Sequence, residues 1–327
     1  MSLESDPGIV ARVAAGPRGC AFRRKLIVSV IGALAAAGVL GLVLARRRGQ
    51  FTAALHSAPI ALLVLAALLQ ITALLARSEA WHVCVRAAGG SVSRRTLFRA
   101  AGVGYLASVV NGSLGMAARI ASLRRAAPQT SPRVPALVAA EVPIITVEVA
   151  LAAIFSFTLI SPLRVPWWAP AIAVAAIAGA ILGLRRFSER HRAGLWAGLA
   201  VVRDKGRGRV ITFTLVAVCA QVMRNWLMLH AIGENVSIFD AMALLIAMFT
   251  LGQLPIGPSI GPAAAVLILG AHGVAATAAA GVLVAVTGIT GSLCYAAWAI
   301  TDQIVTRRLG PTPELVVAPA AVALRSS

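Results

Sequence analysis

Long apolar runs separated by short polar segments are the dominant pattern along the chain. A helix of about 20 apolar residues crosses a hydrocarbon core of roughly 30 Å, and six runs are close to that length or longer. The pattern predicts an all-α fold, a polytopic transmembrane helical bundle with about six full spans. The predicted spans are Leu26–Ala45, Ala58–Ala76, Val134–Ile160, Trp167–Leu184, Val210–Ile232 and Val274–Ile300.

Two further apolar stretches, Thr96–Ala118 and Ile238–His272, are interrupted by glycine, proline and asparagine. Such residues break helices, and backbone groups freed at membrane depth must be buried in protein or face a watery cavity. Both stretches are therefore predicted to be re-entrant, broken-helix elements, with two kinked full crossings as the alternative. The residues predicted to act as hinges and backbone donors are Gly112, Ser113, Gly115, Pro255, Gly257, Ser259 and Gly261.

The two interrupted stretches have similar surroundings. A Val-Ser pair, at Val92 in one and Val236 in the other, precedes a Ser-x-Gly motif by 21 and 23 residues respectively. Three predicted spans separate the stretches, and an odd number of crossings inverts the second copy. The pattern predicts an inverted repeat with halves at about 58–133 and 210–272, as in transporters that bind their substrate near the membrane midplane.

Composition and charge exclude a soluble enzyme. The 327 residues have a mean hydropathy of +0.87 and are only 13% charged, whereas soluble domains are about one quarter charged. The 30 Lys+Arg and 11 Asp+Glu give a net charge of +19, which in a membrane protein indicates contact with the anionic lipid surface and not with nucleic acid. The loop cations place both termini in the cytoplasm; only Arg46–Arg48 disagrees, and the side of the 46–57 loop stays open.

These assignments divide the chain into three parts. Residues 1–25 are predicted to be a basic cytoplasmic N-terminus, 26–303 the transmembrane domain, and 304–327 a disordered cytoplasmic tail. The predicted localisation is the cytoplasmic membrane, with several crossings. Within the domain, the amphipathic stretch Phe187–Val202 is predicted to lie flat against the cytoplasmic lipid surface, with a plain cytoplasmic loop as the alternative.

Five ionisable residues within or beside the apolar segments need an explanation. An acidic side chain at membrane depth costs roughly 2.5–3.5 kcal/mol on insertion scales, so it should face a partner or a cavity. A guanidinium group is the preferred partner of a phosphate. These residues are therefore predicted to bind substrate, and the alternative is that they pair with each other to hold the bundle together. They are Arg77, Arg119, Glu141, Glu148 and Arg224.

The chain carries no motif for catalysis or metal binding. Its four cysteines are scattered, its histidines lack ligand spacing, and Ser113 and Ser259 lack a His/Asp arrangement for nucleophilic chemistry. We therefore predict no catalytic residue, no metal site, no cofactor and no enzymatic activity.

Short motifs along residues 26–303 resemble the lysylphosphatidylglycerol synthase transmembrane family, also described as flippase-like membrane proteins. The resemblance rests on Arg77-x-x-x-Trp81, on Gly104-Tyr105 through Ser113-Leu114-Gly115-x-x-x-Arg119 with Leu123-Arg124-Arg125, on Glu141, and on Pro255–Gly261 followed by Ala264–Leu269. It implies a bundle with re-entrant helices that moves lipids, such as aminoacylated phosphatidylglycerol or polyprenyl-phosphate-linked sugars, between leaflets. The soluble aminoacyl-transferase domain of the fused synthases is not found in this sequence, so synthase activity is not expected.

Several positions depart from the family pattern. Asn111 stands where a proline is usual, and Glu141 is followed by Val142 in place of arginine. Alanine, at Ala264 or Ala265, replaces the acidic residue expected after the second glycine motif, and the arginine usual in the last span is missing. These departures argue against proton coupling and against a conserved site for a cationic headgroup.

The residues together predict a lipid flippase that moves a phosphate-bearing lipid, aminoacylated or polyprenyl-linked, across the membrane. Its predicted partners are membrane phospholipids or lipid-linked headgroups and the anionic lipid surface, with a separately encoded synthase as a further candidate; the oligomeric state stays open. The alternatives are a non-catalytic membrane scaffold for a lipid synthase or glycosyltransferase, and a secondary transporter of solutes or ions.

Overall fold

The computed structural model describes residues 49, 52–53, 58–109, 112–190, 194–202, 206–232, 236–251, 260–269 and 274–309. Every regular element in these ranges is a helix. The predicted span Leu26–Ala45, the basic segment 1–25 and the tail from residue 310 onward lie outside the described residues.

The helices follow one another with short connections. Two 3-10 segments, Phe155–Leu159 and Gly194–Val202, follow α5 and α7 respectively. In chain order, the α-helices of the described ranges are α1 (Ile60–Ala87), α2 (Arg94–Ser108), α3 (Gly112–Ala126), α4 (Val134–Ala139), α5 (Val142–Ile154), α6 (Ile160–Leu163), α7 (Trp168–Arg190), α8 (Arg207–His230), α9 (Ile238–Leu251), α10 (Ile260–Leu269) and α11 (Val274–Leu309).

Five helical stretches of the described chain are long and apolar enough to cross a membrane, and they confirm five of the six predicted spans. Helix α11 continues to Leu309, six residues into the segment predicted to be a tail, because the first Gly-Pro pair after its start at Val274 is Gly310-Pro311. The five stretches are Ile60–Ala87, Val134–Leu163, Trp168–Arg190, Arg207–His230 and Ala276–Thr306.

Helices α1 and α8 form the centre of the bundle and run antiparallel. Gln70, early in α1, contacts Arg224, late in α8, while alanines at positions 73 and 76 of α1 pack against alanines at 217 and 220 of α8. Small side chains let helix backbones approach closely, which is how helices associate where water supplies no hydrophobic driving force. This antiparallel pair joins the two predicted repeat halves.

The helices that follow α1 and α8 begin at corresponding positions. The Ser93 hydroxyl accepts a hydrogen bond from the Thr96 backbone N–H at 3.2 Å and caps α2. Ser237, 144 residues later, accepts from the Asp240 N–H at 3.3 Å at the start of α9. A side chain that satisfies a free N–H fixes where a helix begins. The two Val-Ser pairs noted in the sequence are thus equivalent helix starts.

The first interrupted stretch forms two helices, α2 and α3, that pack closely along each other. A Cβ on Gly104 would lie 2.7 Å from the Arg119 Cβ, and one on Gly115 would lie 2.6 Å from the Ser108 Cβ. Helix α2 ends at Ser108 and α3 begins at Gly112. Gly112, Ser113 and Gly115, predicted as hinges and backbone donors, belong to the first turn of α3.

The second interrupted stretch contributes α9 and α10, which pack against each other through alanine and leucine side chains. At 1.5 Å per residue their 14 and 10 residues span roughly 21 and 15 Å, too little for either to cross a bilayer core alone. Pro255, Gly257 and Ser259 lie outside the described residues. Gly261 lies in the first turn of α10 and packs against Gly281 of α11, with its would-be Cβ 2.6 Å from the Gly281 carbonyl oxygen.

The two helix pairs contact α11 at well-separated points. A Cβ on Gly102 of α2 would lie 2.7 Å from the Ala299 Cβ, whereas α10 contacts α11 at Gly281. These two positions of α11 are 18 residues apart, which in an α-helix is about 27 Å. The separation approaches the full thickness of a hydrocarbon core, so the two pairs lie at different depths along the same helix.

The stretch Phe187–Val202 does not form the predicted surface helix. Its first residues continue α7 to Arg190, and the 3-10 segment Gly194–Val202 packs against α1 and α4. Leu199 and Val201 are almost fully buried, and Gly198 lies directly against the backbone of α4. Because a side chain at Gly198 would clash with that backbone, the glycine permits an inward contact that amphipathic patterning does not reveal.

The α2–α3 contact yields a stability prediction. We expect Gly104→Ala to destabilise the protein by about 1–3 kcal/mol, because the added methyl overlaps the Arg119 side chain in a close-packed interface. The matched control is Gly179→Ala on α7, where nothing lies within 4 Å of the would-be Cβ. Thermal unfolding followed by size-exclusion chromatography should show a lower midpoint for Gly104→Ala and no loss for Gly179→Ala; equal midpoints would contradict the packing described.

Candidate functional site

Arg119 and Glu141 form a buried ion pair between α3 and the junction of α4 with α5. Glu141 stands between these two helices, just before the Val142-Pro143 start of α5, and it accepts a hydrogen bond from the Arg119 Nη2. The two residues are only 7% and 4% exposed. The Arg119 guanidinium also lies 4.3 Å from the centre of the Trp81 ring, a cation–π contact that holds its plane in place. The pair is fixed from two sides.

A second ion pair, Arg77–Glu148, lies nearby. The Arg77 Nη2 donates to the Glu148 Oε2 at 2.8 Å, and their side chains are 34% and 11% exposed. Glu148 lies midway along the predicted crossing Val134–Leu163, so a span centred on the bilayer would place this pair near the midplane. Arg77 is the more accessible partner of the pair.

The two ion pairs border one polar cavity of about 210 Å³. Arg77, Arg119 and Glu141 contribute its charged wall, while Tyr105 and Ser108 of α2 contribute hydroxyl groups. The cavity has room for several water molecules or a compact polar group. Three of the five residues predicted to bind substrate, Arg77, Arg119 and Glu141, therefore line one hollow, and Glu148 is joined to it through its ion pair with Arg77.

A second, apolar cavity of about 310 Å³ adjoins these charges. Arg77, Glu148 and Gln221 line one part of it, and most of the remaining wall consists of hydrophobic side chains from α5, the 3-10 segment after it, α8 and α9. The principal ones are Leu151, Phe155, Leu215, Val222, Ile238, Met242, Leu245 and Phe249. Because Arg77 lines both cavities, the polar and apolar hollows meet at the Arg77–Glu148 pair.

A network of hydroxyl groups lies next to the polar cavity, on the side of Tyr105. The Tyr295 hydroxyl of α11 donates to the Ser78 Oγ at 3.1 Å, and the Tyr105 hydroxyl donates to the Leu74 carbonyl at 3.2 Å. The two tyrosine rings meet edge to face with their centres 5.5 Å apart. Buried hydroxyls with partners give this wall a defined shape, since unpaired ones would be costly. The network ties α1, α2 and α11 together beside the charges.

Arg224 does not reach either cavity. It is buried between α1, α8 and α11, where its Nη1 donates to the Gln70 amide oxygen and its Nη2 to the Asn225 Oδ1 at 3.2 Å. Gly288 of α11 leaves room for the guanidinium. No carboxylate pairs with Arg224 among the described residues, and its Nε and the Asn225 Nδ2 lack a hydrogen-bond partner there. The structure thus separates Arg224 from Arg119, with which the sequence grouped it.

The residues predicted as hinges do not lie together in one site. Gly115 lines the polar cavity, and Gly112 and Ser113 begin the helix that carries Arg119. Gly261 belongs to the α10–α11 contact and lines neither hollow. Only the residues around α3 are therefore part of the site; those at 255, 257 and 259 lie outside the described chain.

Sequence reasoning missed the roles of three polar residues. Tyr105 was noted only as part of a family motif, and Gln70 and Asn225 were not noted. A signal existed for Gln70, which is the only polar side chain other than threonine and serine in the apolar run 58–76 and lies two helical turns before Arg77. For Asn225 the signal was its position next to a buried arginine. No group of three or more metal-binding side chains occurs in the described residues.

Comparison with known protein families places this chain in a family. The sequence model of the lysylphosphatidylglycerol synthase TM region matches residues 27–306, which is most of the chain. The resemblance drawn from the short motifs is confirmed by this match. No curated protein and no solved structure matches the sequence.

The buried geometry of the Arg119–Glu141 pair yields a prediction on coupling. In a double-mutant cycle with Arg119→Gln and Glu141→Gln, we expect each single change to destabilise the protein by about 3–5 kcal/mol, because it leaves one charge buried without its partner. The double variant should recover part of that loss.

The control cycle uses Arg185 and Glu189 on α7, an ion pair of the same chemistry at 3.4 Å whose side chains are 60% and 51% exposed. Its coupling should not exceed about 0.5 kcal/mol. Unfolding midpoints in detergent supply both cycles. Equal coupling energies for the two pairs would show that Arg119 and Glu141 are not desolvated.

Proposed function

Because the chain belongs to the lysylphosphatidylglycerol synthase transmembrane family, we propose that this multi-pass membrane protein moves a phosphate-bearing lipid between the leaflets of the cytoplasmic membrane. The cargo would carry an aminoacylated or a polyprenyl-linked headgroup. The phosphate, which both classes share, is the part of the lipid that the site is proposed to hold.

One observation carries this proposal: the polar cavity and the apolar cavity share Arg77 and lie on either side of the Arg77–Glu148 pair. A lipid has the same division, with a charged headgroup attached to a hydrocarbon chain. The headgroup would occupy the polar hollow next to Arg119, and the chain would lie among the aromatic and aliphatic side chains of α5, α8 and α9. A site for a small hydrophilic solute would not need the second hollow.

The charges explain how a headgroup could bind without a large desolvation cost. Two guanidinium groups and one carboxylate line the polar cavity, and the second carboxylate, Glu148, pairs with Arg77 from the side of the apolar cavity. A phosphate offers a guanidinium the same bidentate geometry as a carboxylate. The headgroup would replace Glu148 as the partner of Arg77 and lie within reach of Arg119. The released carboxylates would counterbalance the arginines or bind a cationic group of the cargo.

The arrangement of helices supports a pathway with access from both sides. Helix α2 begins with Arg94 and Arg95 and α3 ends with Arg124 and Arg125, so both outer ends of this pair carry cytoplasmic-type charge. We propose that α2–α3 enters and leaves from the cytoplasmic face, and that α9–α10 enters from the opposite face. Inverted elements of this kind let one site open alternately to the two sides.

In this proposal Arg224 stabilises the bundle and does not bind the lipid. Its contact with Gln70 lies on the α1–α8 interface, where the two repeat halves meet. The chain would transport its lipid and carry out no covalent chemistry, and a separately encoded synthase is the proposed source of the cargo. Both termini would lie in the cytoplasm, as the distribution of loop cations indicates.

A leaflet-exposure assay on reconstituted vesicles tests the proposal. Fluorescent phosphatidylglycerol and a polyprenyl-phosphate analogue are placed in both leaflets, and the fraction that reaches the outer leaflet is measured with a membrane-impermeant quencher. We expect Arg119→Ala and Glu141→Ala to slow transport at least about tenfold, because each removes one charge-assisted contact of a buried site. Arg185→Ala, which opens an exposed ion pair, should transport as the wild type does.

Equal lipid movement in all four proteins would contradict the assignment of the site. Substrate-dependent ion flux without lipid movement would favour the secondary transporter of solutes or ions. Each variant should first show the elution profile of the folded wild type, so that a loss of transport is not a loss of protein.

The formed ion pairs favour a second candidate, a membrane scaffold in which Arg77–Glu148 and Arg119–Glu141 are static links. The exchanged variant Arg119→Glu with Glu141→Arg distinguishes the two. A scaffold should regain stability and partner binding when the charges are exchanged. A transporter should regain stability but not transport, because the guanidinium then lies on a different helix from the one that faces the headgroup.

A further inference from the structure

A third cavity, of about 450 Å³, lies where the last turn of α1 meets the first turn of α8. Its wall includes Arg86 from α1, Arg209 and Gly206 from α8, and the buried side chains of Glu79 and His82. In the proposed orientation this junction is at the cytoplasmic face, the level at which lipid phosphates lie. It is separate from the two hollows that share Arg77.

The cavity is basic, and its one acid already has partners. Glu79 lies 2.7 Å from the Arg94 Nε and 3.7 Å from the His82 Nδ1. Arg86 and Arg209 are exposed and form no salt bridge with the described residues. Two guanidinium groups from different helices therefore face one hollow, and the Glu79 carboxylate that also lines it is paired with Arg94.

The start of α8 adds to this positive potential. The first turn of a helix has free N–H groups and a partial positive charge, which acidic or capping side chains usually balance. Helix α8 has neither: no acidic residue lies in its first turn and Gly206 offers no side chain to cap it. Instead, Arg207 and Arg209 place further positive charge there. An anion in the cavity would compensate both the helix end and the arginines.

We propose that this cavity binds a phosphate anion that stays bound while other lipids are transported, with Arg86, Arg209 and the α8 N-terminus as its ligands. Basic pockets between membrane helices on the cytoplasmic side are suited to anionic headgroups. The phosphate would link the end of α1 to the start of α8, the helices on which the two repeat halves meet. The position of the cavity at the cytoplasmic face rests on the orientation given under the proposed function, whereas the binding of an anion rests on the residues that line the cavity.

The test measures binding of short-chain phosphatidylglycerol to the full-length protein in detergent by titration calorimetry. The variant Arg86→Gln/Arg209→Gln should weaken one class of sites by about tenfold or more, because it removes two charged ligands. Arg86→Lys/Arg209→Lys should keep most of the affinity. The matched control Arg125→Gln/Arg133→Gln, which removes two exposed arginines on other elements, should bind as the wild type does.

Two further arms identify the ligand and separate this site from the transport site. Arg77→Gln should leave the affinity of the sites weakened by Arg86→Gln/Arg209→Gln unchanged, since Arg77 does not line this cavity. If millimolar inorganic phosphate displaces the lipid from these sites, the ligand is free phosphate. If it does not, the ligand is a lipid headgroup. Either result supports an anion site in this cavity. Unchanged affinity and stoichiometry in Arg86→Gln/Arg209→Gln would overturn it.

Discussion

Charged side chains near the middle of a membrane bundle need charged or polar partners, and this constraint organises the structure. Arg119 is held by Glu141 and by the face of Trp81, while Arg77 is held by Glu148. Each pair joins two helices, so the charges hold α3 to the α4–α5 junction and α1 to α5. Each pairing offsets the charge of an arginine that would be costly to bury alone.

Close backbone packing supplies the second requirement. The glycines at 104 and 115 bring α2 and α3 together beside Arg119, and Gly102 brings α2 against α11. Farther along α11, Gly261 and Gly281 bring α10 into contact. With little hydrophobic driving force between helices in lipid, such contacts determine which helices neighbour one another. The small residues of this chain therefore position the charges, although they bind nothing themselves.

Much of this arrangement could be predicted from the sequence, because hydrophobic length and buried charge have few structural solutions. The apolar runs gave five spans, and the four residues Arg77, Arg119, Glu141 and Glu148 do meet. The predictions that were wrong concern features that depend on contacts between segments distant in sequence. Patterning near Phe187–Val202 does not reveal that Gly198 fits against α4, and the position of Arg224 in its span does not reveal that Gln70 and Asn225 enclose it. The division into a polar and an apolar hollow likewise arises only when α5, α8 and α9 come together.

The central claim is that the two broken segments enter the membrane from opposite faces around a shared site. Single cysteines placed at Ser93, Arg125 and Ser237, in a chain whose native cysteines are replaced by serine, test it by labelling with an impermeant thiol reagent in vesicles of known orientation. All three positions are exposed, and Ser93 and Ser237 are equivalent helix starts. The account predicts labelling of Ser93→Cys and Arg125→Cys from the cytoplasmic face and of Ser237→Cys from the other. Labelling of Ser93→Cys and Arg125→Cys from different faces, or of Ser93→Cys and Ser237→Cys from the same face, would contradict it.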